Sequence, residues 1–460
     1  MIEPKVRIIT DTTTFYPIES DNDSHRNDDL SLRATLVYMH EQIGEDFQYF
    51  KADDLFIVLQ QWRDLLFFIQ SNDERYKEIM LLQLQTIREI IIFLFGTKFE
   101  NVMKRSISLS KRQVFALYVD TYLKLCKKDF LFMMNSTRFN LEDLELNKKF
   151  EKNLMTISNG MDINLTAVIL FENHKIIGKY LKPGSLKLEQ ENLLMLTIFE
   201  QVEYENIDDS SKVIDIDFVK SPQNLTIKHK NAYLRVDRSP VPFTLSSSRM
   251  GLNSPYVILV VTQNVKMQQE MKDTIQKYIY SIAESLNTID FKFSKYLQGD
   301  LLDDLLYFII IDRTNGIVWE MDNIKSILLL ENYLSNNDQN FASNFLEEIK
   351  TKLISYGMNA MIRGFTTMMW GENDFQYCYQ LIFEDDDEII KPSNVFKPPP
   401  FHDDIGITYR LMINNIFQTN DDISCVELFT VYKGKILVKD AIIENQLLYE
   451  SLGNVKMQVK

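Results

Sequence analysis

Apolar residues recur at two different spacings along the first part of the chain, and these spacings predict its elements. Alternating apolar and β-branched residues predict strands at 6–9, 15–18, 55–60 and 65–69. Spacings of three and four residues predict helices at 32–43, 74–95 and 110–125. The first stretch therefore has the order strand, strand, helix, two strands, two helices.

The same succession restarts near residues 160 and 303. In the second stretch, strands are predicted at 165–171, 175–180, 213–219, 232–236 and 256–262, with helices at 188–202 and 265–291. In the third, strands are predicted at 305–311, 317–319, 365–370, 375–383 and around 433–434, with helices at 341–361, at 409–417 and at the end. The acidic run 384–388 and the loop 392–400 are predicted to form an exposed linker.

The three opening hairpins are centred near residues 12, 173 and 315, about one ordinary domain apart. The sequences of the stretches do not repeat, so the similarity is one of architecture. The pattern predicts three α/β domains, at 1–150, 151–298 and 299–460.

Composition narrows the possible partners. Hydrophobic residues make up 45% of the chain, enough for buried cores, and the formal net charge is −15. Such a charge repels a phosphate backbone and also anionic lipid headgroups, so we expect no nucleic acid as a partner. A local basic patch could reverse either expectation. The short basic runs at 104–105, 111–112 and 127–128 are expected to be solvated helix faces. The start of the chain lacks an apolar signal core, and three widely separated cysteines predict buried thiols in a reducing compartment.

The motifs of covalent and nucleotide chemistry are missing from the sequence. It contains no G-x-x-x-x-G-K-[ST], G-x-G-x-x-G or G-x-S-x-G, and none of its five histidines has metal-ligand spacing. Paired carboxylates fall mostly in polar turns, where nothing shifts their pKa for acid–base work. His402 with Asp403 and Asp404 is a poor metal cage because it lies in a proline-rich loop. We therefore expect no cofactor, no metal and no bond-making or bond-breaking chemistry.

The order of elements resembles the longin fold of membrane-trafficking proteins. The stretches from Leu305 to Gly316 and from Gly364 to Tyr379 are similar to the C-terminal region of the Hermansky-Pudlak syndrome protein 1 family. Residues 6–18 and 55–72 are similar to the start of the same family. The resemblance covers both ends of the chain well and the middle loosely, and the long insert that vertebrate members carry between their first two units is missing.

This resemblance implies a fold, a partner, a function and a location that the residues alone do not show. It implies three tandem longin-like domains, each a five-stranded mainly antiparallel sheet with flanking helices. It implies pairing with a Hermansky-Pudlak syndrome protein 4-like tri-longin subunit, as in the third biogenesis-of-lysosome-related-organelles complex (BLOC-3). That heterodimer is a guanine-nucleotide exchange factor for a Rab32/Rab38-type small GTPase. The implied location is cytoplasmic, with peripheral recruitment through the GTPase to endosomal or lysosome-related organelle membranes, such as those of pigment granules.

In this family, as in the similar Mon–Ccz and Fuzzy–Inturned pairs, the first longin units form the platform that binds the GTPase. The helix at 32–43 also has Val37 and Tyr38 on its flank, and apolar residues on more than one face are typical of burial between a sheet and a partner. We therefore predict a partner-binding or GTPase-binding surface on this helix and the strand after it. Its residues are Leu36, Met39, His40, Ile43, Phe47 and Tyr49. A plain core helix is the alternative interpretation of the same pattern.

Two other functions remain open on the sequence. One is a trafficking scaffold or Rab effector of similar fold that lacks exchange activity. The other is an enzyme whose active-site residues are dispersed along the chain. A scaffold or effector is expected to bind the GTP-loaded GTPase more tightly than the nucleotide-free form, which distinguishes it from an exchange factor. A bound cofactor or metal would indicate an enzyme.

Overall fold

The structure is a computed structural model. It describes residues 5–10, 14–18, 31, 33–35, 38, 49–52, 55–71, 77–96, 99, 109–128, 137–138, 144–158, 164–172, 174–183, 190–204, 226–237, 239–250, 256–263, 269–287, 304–313, 317–321, 323–334, 339–385, 388–390, 405–417, 423–434 and 436–457. The chain divides into two compact units, Met1–Asn135 with His402–Ile405, and Ser136–Phe401 with Gly406–Lys460.

The first unit contains an antiparallel sheet and two long helices. Its strands are β1 (Lys5–Ile9), β2 (Thr14–Tyr16), β3 (Tyr49–Ala52), β4 (Leu55–Trp62) and β5 (Leu65–Ser71). Its helices are α1 (Lys77–Phe95) and α2 (Leu109–Lys128). The strand order is β2-β1-β5-β4-β3, so the last strand in the sequence lies in the centre. The predicted opening hairpin and the predicted strand pair at 55–60 and 65–69 are confirmed.

Side chains of this sheet alternate between two apolar faces. One face holds a cluster of buried residues, Ile9, Ile57, Leu59, Leu66 and Phe68. On the other face, Trp62 stacks on Phe99 at a centroid distance of 5.8 Å, and α1 and α2 pack there. The turn between β4 and β5 places Arg63 at φ 57°, and Gly96 at φ 63° ends α1. Burial on both faces explains why these strands read as continuous apolar runs.

The second unit begins with a sheet of the same kind. Its strands are β7 (Leu165–Glu172), β8 (Lys175–Leu181), β9 (Lys228–Val236), β10 (Ser239–Arg249) and β11 (Tyr256–Gln263). Its helices are α3 (Leu144–Ser158), α4 (Gln190–Tyr204) and α5 (Gln269–Asn287). The strand order is β8-β7-β11-β10-β9, and every pair is antiparallel.

Helices cover both faces of this second sheet. Helices α3 and α5 share a core with one face, where Phe150 and Tyr278 are buried among the strand residues. A Cβ built on Gly178 would lie 2.8 Å from the Phe150 ring, so a glycine is needed there for α3 to approach β8. Helix α4 covers the opposite face, and its Tyr204 hydroxyl donates a hydrogen bond to the Ser247 hydroxyl at 3.0 Å.

The third sheet is the largest. It contains β6 (Thr137–Arg138), β12 (Leu305–Asp312), β13 (Ile317–Glu320), β14 (Thr367–Glu372), β15 (Phe375–Asp385), β16 (Glu388–Ile390) and β17 (Ser424–Lys433). Its helices are α6 (Asn323–Leu334), α7 (Gln339–Ile362), α8 (Ile405–Phe417) and α9 (Val438–Met457). The order is β14-β15-β17-β12-β13-β6, and β16 pairs with β15.

All three sheets share one strand order. When the five main strands of each sheet are numbered along the chain, their order in space is second, first, fifth, fourth, third. In the two later sheets, the helix between the second and third strands covers one face and the helix after the fifth strand covers the other. The expected mixed α/β class with three antiparallel sheets is confirmed, and its arrangement is consistent with longin-like domains.

The third sheet corrects the expectation of five strands in each domain. It has seven, because two short strands fill hydrogen-bonding edges that the main strands leave open. Thr137 and Arg138 pair in parallel with the outer edge of β13. Strand β15 extends beyond β14 to Asp385, and β16 pairs with this extension. The predicted linker at 384–388 is therefore wrong for Glu384, Asp385 and Glu388, which lie in strands, and the predicted loop at 392–400 lies outside the described residues.

Strand β10 was not predicted, because its sequence lacks the apolar signal of its neighbours. It contains Pro240, Pro242 and three consecutive serines at 246–248. The prolines lie where β10 pairs with β9 alone, so their missing N–H groups cost no hydrogen bond on the β11 side. The serines are buried, and Ser246 and Ser247 find side-chain partners in His229 and Tyr204.

Helices α3 and α6 were also not predicted, whereas the predicted strand at 213–219 lies outside the described residues. The predicted boundary at residue 150 falls within α3, and Phe150 and Leu154 of this helix are buried against the second sheet. Other predicted helices are confirmed with ends shifted by a few residues, as α1, α2, α4, α5, α7, α8 and α9.

A buried asparagine fixes α9 to the third sheet. The Asn445 carbonyl oxygen accepts hydrogen bonds from the Thr430 hydroxyl at 2.8 Å and the Tyr432 hydroxyl at 2.6 Å. Its amide nitrogen donates to Gln380 Oε1 at 3.2 Å and contacts Cys378 Sγ at 3.3 Å. On the opposite face, a Cβ on Gly357 of α7 would collide with the Phe429 ring, so the α7 backbone lies close to β17. The sheet is thus held between α7 and α9.

Replacing Asn445 with alanine is expected to destabilise the third sheet by about 2–4 kcal/mol, because two buried hydroxyls lose their acceptor. The neighbouring Gln446→Ala is the matched control; Gln446 is exposed and bonds only locally to Glu450, so a change within about 0.5 kcal/mol is expected. Urea unfolding followed by the fluorescence of Trp319 and Trp370, both in this sheet, measures the difference. Equal midpoints for the two variants would show that the asparagine contributes nothing.

Candidate functional site

The predicted surface lies in the first unit, and the structure describes part of it. Leu36, Met39, His40, Ile43 and Phe47 lie outside the described residues. Helical backbone is described at residues 31, 33–35 and 38, which agrees with the predicted helix at those positions. Arg33 Nη1 donates a hydrogen bond to the Asp64 carbonyl at 3.2 Å, which ties this segment to the turn between β4 and β5.

Tyr49 is the predicted site residue whose position the structure gives. It begins β3, the outermost strand of the first sheet as described, and pairs with Val58 of β4. Its side chain is 48% exposed. The Lys77 ammonium nitrogen lies 3.6 Å from the centre of the Tyr49 ring, and the Phe56 ring lies 5.8 Å away. These contacts hold an exposed aromatic ring in place at the sheet edge.

Tyr38 is a second exposed aromatic residue that the predicted list omitted. Its side chain is 62% exposed, on the same helical segment as the predicted residues. The apolar flank of that segment was the available signal, but spacing alone does not separate an exposed tyrosine from a buried one. Aromatic residues with a polar tip are enriched at protein interfaces, because they offer large contact area and tolerate water.

The neighbouring residues Tyr49 and Phe50 point to opposite faces of β3, and this difference has a measurable consequence. Phe50 packs against the cluster that contains Ile57 and Leu59. We expect Phe50→Ala to cost about 2 kcal/mol or more, and Tyr49→Ala to cost about 1 kcal/mol or less. Urea unfolding followed by the fluorescence of Trp62, in the adjacent β4, measures both variants. A larger loss for Tyr49→Ala would place Tyr49 in the core and remove it from the surface.

The third sheet contains a buried ion pair that contacts two buried tyrosines. Arg313 Nε donates to Glu427 Oε2 at 2.5 Å, and both side chains are 1% exposed. The Tyr379 hydroxyl donates to Glu427 Oε1 at 2.9 Å, and the Tyr409 ring centre lies 5.1 Å from the guanidinium. Burial alone would lower the pKa of the Arg313 guanidinium. The neighbouring Glu427 carboxylate has the larger effect, so this pKa is raised. Burial raises the pKa of both tyrosines.

This buried pair joins α8 to the sheet, and both charged side chains are almost completely shielded from solvent. Glu427→Gln leaves the Arg313 charge buried without its counter-charge, and we expect a loss of about 3–5 kcal/mol. Replacing both residues, by Arg313→Met with Glu427→Leu, is expected to cost less than that single change. Thermal unfolding of the three proteins tests this. A smaller loss for Glu427→Gln than for the double variant would contradict a structural role for the pair.

Both histidines in the described part of the chain, His174 and His229, contact other side chains. Ser246 Oγ lies 2.9 Å from His229 Nδ1, but Ser246 is fully buried and cannot meet a substrate. Burial and nearby Lys272 lower the pKa of His229. His174 Nδ1 lies 2.6 Å from the buried Glu200 carboxylate. His25, His40 and His402 lie outside the described residues.

The three cysteines are buried, as predicted. Burial raises the pKa of the Cys378 thiol to about 11, and that of Cys425 is also raised. Thiols with raised pKa are poor nucleophiles at neutral pH. Within the described part of the chain, no group of three or more histidine, cysteine, aspartate or glutamate residues could hold a metal ion. A search of the same residues finds no helix that combines the length and apolar character of a membrane span.

Comparison with known proteins adds no family to these observations. No protein-family model matches the chain, and no curated protein matches it. The likeness to the longin fold and to the Hermansky-Pudlak syndrome protein 1 family therefore depends on the sequence stretches quoted above and on the repeated strand order.

Proposed function

We propose that this chain is one subunit of a heterodimeric guanine-nucleotide exchange factor for a Rab-type small GTPase. The observation that carries the proposal is the strand order second, first, fifth, fourth, third, which occurs in all three sheets. The two fully antiparallel sheets and the third sheet's five main strands fit the longin-like domains that the sequence resemblance implies. The proposed partner is a second chain of three such domains, similar to the fourth Hermansky-Pudlak syndrome protein.

Nucleotide exchange needs no catalytic side chain. An exchange factor binds the nucleotide-free GTPase more tightly than the nucleotide-bound form, so binding shifts the GTPase towards the state that releases GDP. The size of this shift equals the difference in binding free energy, with about 1.4 kcal/mol for each factor of ten. Such a mechanism requires a broad contact surface on a rigid scaffold, and sheets buried on both faces supply rigidity.

The proposed contact surface is the one predicted on the first unit. Tyr49, held by Lys77 and Phe56, gives it a fixed aromatic residue at the outer edge of β3. Tyr38 gives it a second exposed aromatic residue on the helical segment that Arg33 ties to the same sheet. The proposed location is the cytoplasmic side of endosomal or lysosome-related organelle membranes, reached through the bound GTPase.

The test of this function uses the full chain co-purified with its three-domain partner. The release of fluorescent GDP is measured for a panel of Rab GTPases, and a cognate Rab is expected to release it at least tenfold faster with the complex present. Leu36→Glu with Tyr49→Glu is expected to abolish the acceleration, because two charges would be buried at the interface. The control is Phe365→Glu, in the segment between α7 and β14, where the side chain is 49% exposed, as Tyr49 is 48% exposed.

Two results would overturn the proposal. Release no faster than background across the panel rules out exchange activity. Tighter binding to the GTP-loaded GTPase than to the nucleotide-free form indicates a scaffold or effector of the same fold. If exchange occurs but the Leu36 and Tyr49 variant is fully active, the function stands and the predicted surface is wrong.

A further inference from the structure

Two edges of the later sheets are blocked by other parts of the chain. An edge strand presents unpaired backbone N–H and C=O groups, which attract strands of other molecules. On β9, the Asn192 side-chain amide accepts a hydrogen bond from the Arg235 N–H and donates one to its carbonyl, both at 2.7 Å. On β13, Thr137 and Arg138 pair with the outer side as β6. These contacts leave fewer free backbone groups at both edges.

Strand β14 forms the other edge of the third sheet and lacks such protection. It pairs with β15 from Thr367 to Glu372 without a shift in register. Its first five residues, 367–371, include no charged residue and no proline. Among the residues that the structure describes, no strand pairs with its outer side. A regular, uncharged edge of this kind can accept an extended strand from another molecule.

The turn after β14 determines which of its backbone groups face outwards. Glu372 and Phe375 flank the two-residue turn at 373–374, so they form a hydrogen-bonded pair. Such pairs alternate along an antiparallel ladder, and the Leu381 N–H donates to the Thr366 carbonyl at 2.7 Å, as this alternation requires. The residues whose backbone groups therefore point away from β15 are Thr367, Met369 and Gly371.

Opposite charges lie at the two ends of this edge. Arg363 precedes β14 and Asp374 lies in the turn after it, and both residues are exposed. Within the described part of the chain, neither side chain has an ion-pair partner. Glu372 differs, because its carboxylate lies 2.7 Å from the Lys352 ammonium nitrogen. The edge thus has a free positive charge at its start and a free negative charge at its end.

Aromatic rings lie beside the same edge on the face covered by α7. The Trp370 ring stacks on Tyr377 at a centroid distance of 5.3 Å, and the Tyr356 ring of α7 lies 4.7 Å from Trp370. Tyr356 is 37% exposed. Partly exposed tyrosine and tryptophan rings next to a free edge offer apolar contact area to a strand that pairs there.

A second copy of β14 complements this edge. When two copies run antiparallel about a two-fold axis at Met369, Thr367 of each copy pairs with Gly371 of the other. The outward groups then form about six hydrogen bonds. The same register brings Arg363 of each copy to the turn that holds Asp374 of the other, so opposite charges meet at both ends. The axis is perpendicular to the sheet, so the aromatic rings of both copies lie on one face.

We propose that two copies of this chain associate through antiparallel pairing of their β14 strands, which joins their third sheets into one continuous sheet. This inference goes beyond the proposed exchange function. It does not depend on that function either, because the pairing requires neither a GTPase nor the three-domain partner.

The test is sedimentation velocity of the full chain, alone, over a range of concentrations. A species of twice the monomer mass of 54.2 kDa is expected to form as concentration rises. Met369→Pro removes an N–H that points away from β15, so it should leave the fold intact and weaken the dimer about tenfold or more. The matched control is Met369→Leu, which keeps this N–H and should dimerise as the unmodified chain does.

Charge reversal tests the antiparallel register. Arg363→Glu alone, or Asp374→Lys alone, brings like charges together at both ends of the paired strands and should weaken the dimer about tenfold. A mixture of the two single variants places opposite charges at both ends again, so it should recover the dimer. Mixing cannot restore a contact within one chain, so recovery identifies a contact between copies.

Three outcomes would overturn the proposal. They are an unmodified chain that stays monomeric at every concentration, a dimer that Met369→Pro does not weaken, and no recovery when the charge variants are mixed. If the chain alone is monomeric and Met369→Pro prevents co-purification with the three-domain partner, the edge binds that partner instead of a second copy. Equal melting temperatures of the monomeric variants distinguish weakened pairing from lost folding.

Discussion

Each sheet of this protein depends on its last strand. Strands β5, β11 and β17 end the strand sequence of their sheets, yet each lies in the centre, hydrogen-bonded to the first strand on one side and the fourth on the other. Until that strand is in place, each sheet consists of two hairpins that share no hydrogen bond. The central strands are also among the most buried, as in β5, where Phe67 and Ile69 have no exposed surface. Pairing of the first strand with the last is thus the constraint that joins the two hairpins of each sheet.

The polar residues of the central strand also determine which side chains its neighbours must provide as partners. In β17, Glu427, Thr430 and Tyr432 bring polar atoms into the interior of the third sheet. Each requires a partner, because an unsatisfied buried polar group costs about 1–3 kcal/mol. Arg313 satisfies Glu427 on one face, and Asn445 satisfies the two hydroxyls on the other. These buried networks are therefore explained by the need to pair the polar groups of a central strand.

The sequence predicts several strands well where both faces are apolar, but it placed the buried strand β17 only around its end at 433–434, and it misses strands that depend on packing. The run from Leu305 to Ile311 is recognisable because a fully buried strand is continuously apolar. Strand β10 is not, because the tyrosine of α4 and the histidine of β9 make buried serines acceptable, and neither contact is visible in a linear pattern. The short strands β6 and β16 exist only because larger neighbours leave an open edge. For the candidate surface, spacing indicated the first-unit segment with Tyr49 and placed Tyr38 on its flank, but it could not show that Tyr38 is exposed, because exposure depends on the tertiary structure.

The exposed surface of the first unit is less regular than the core beneath it. The buried residues repeat one architecture three times, whereas the exposed residues of the first unit differ from one side of the sheet to the other. The aromatic residue Tyr49 lies at the β3 edge, and α2 packs on β2 at the opposite edge, four strands away. With neighbouring strands about 4.8 Å apart, the two surfaces are separated by roughly 20 Å. The two edges of the first sheet therefore present different exposed surfaces, although the same buried strands support both.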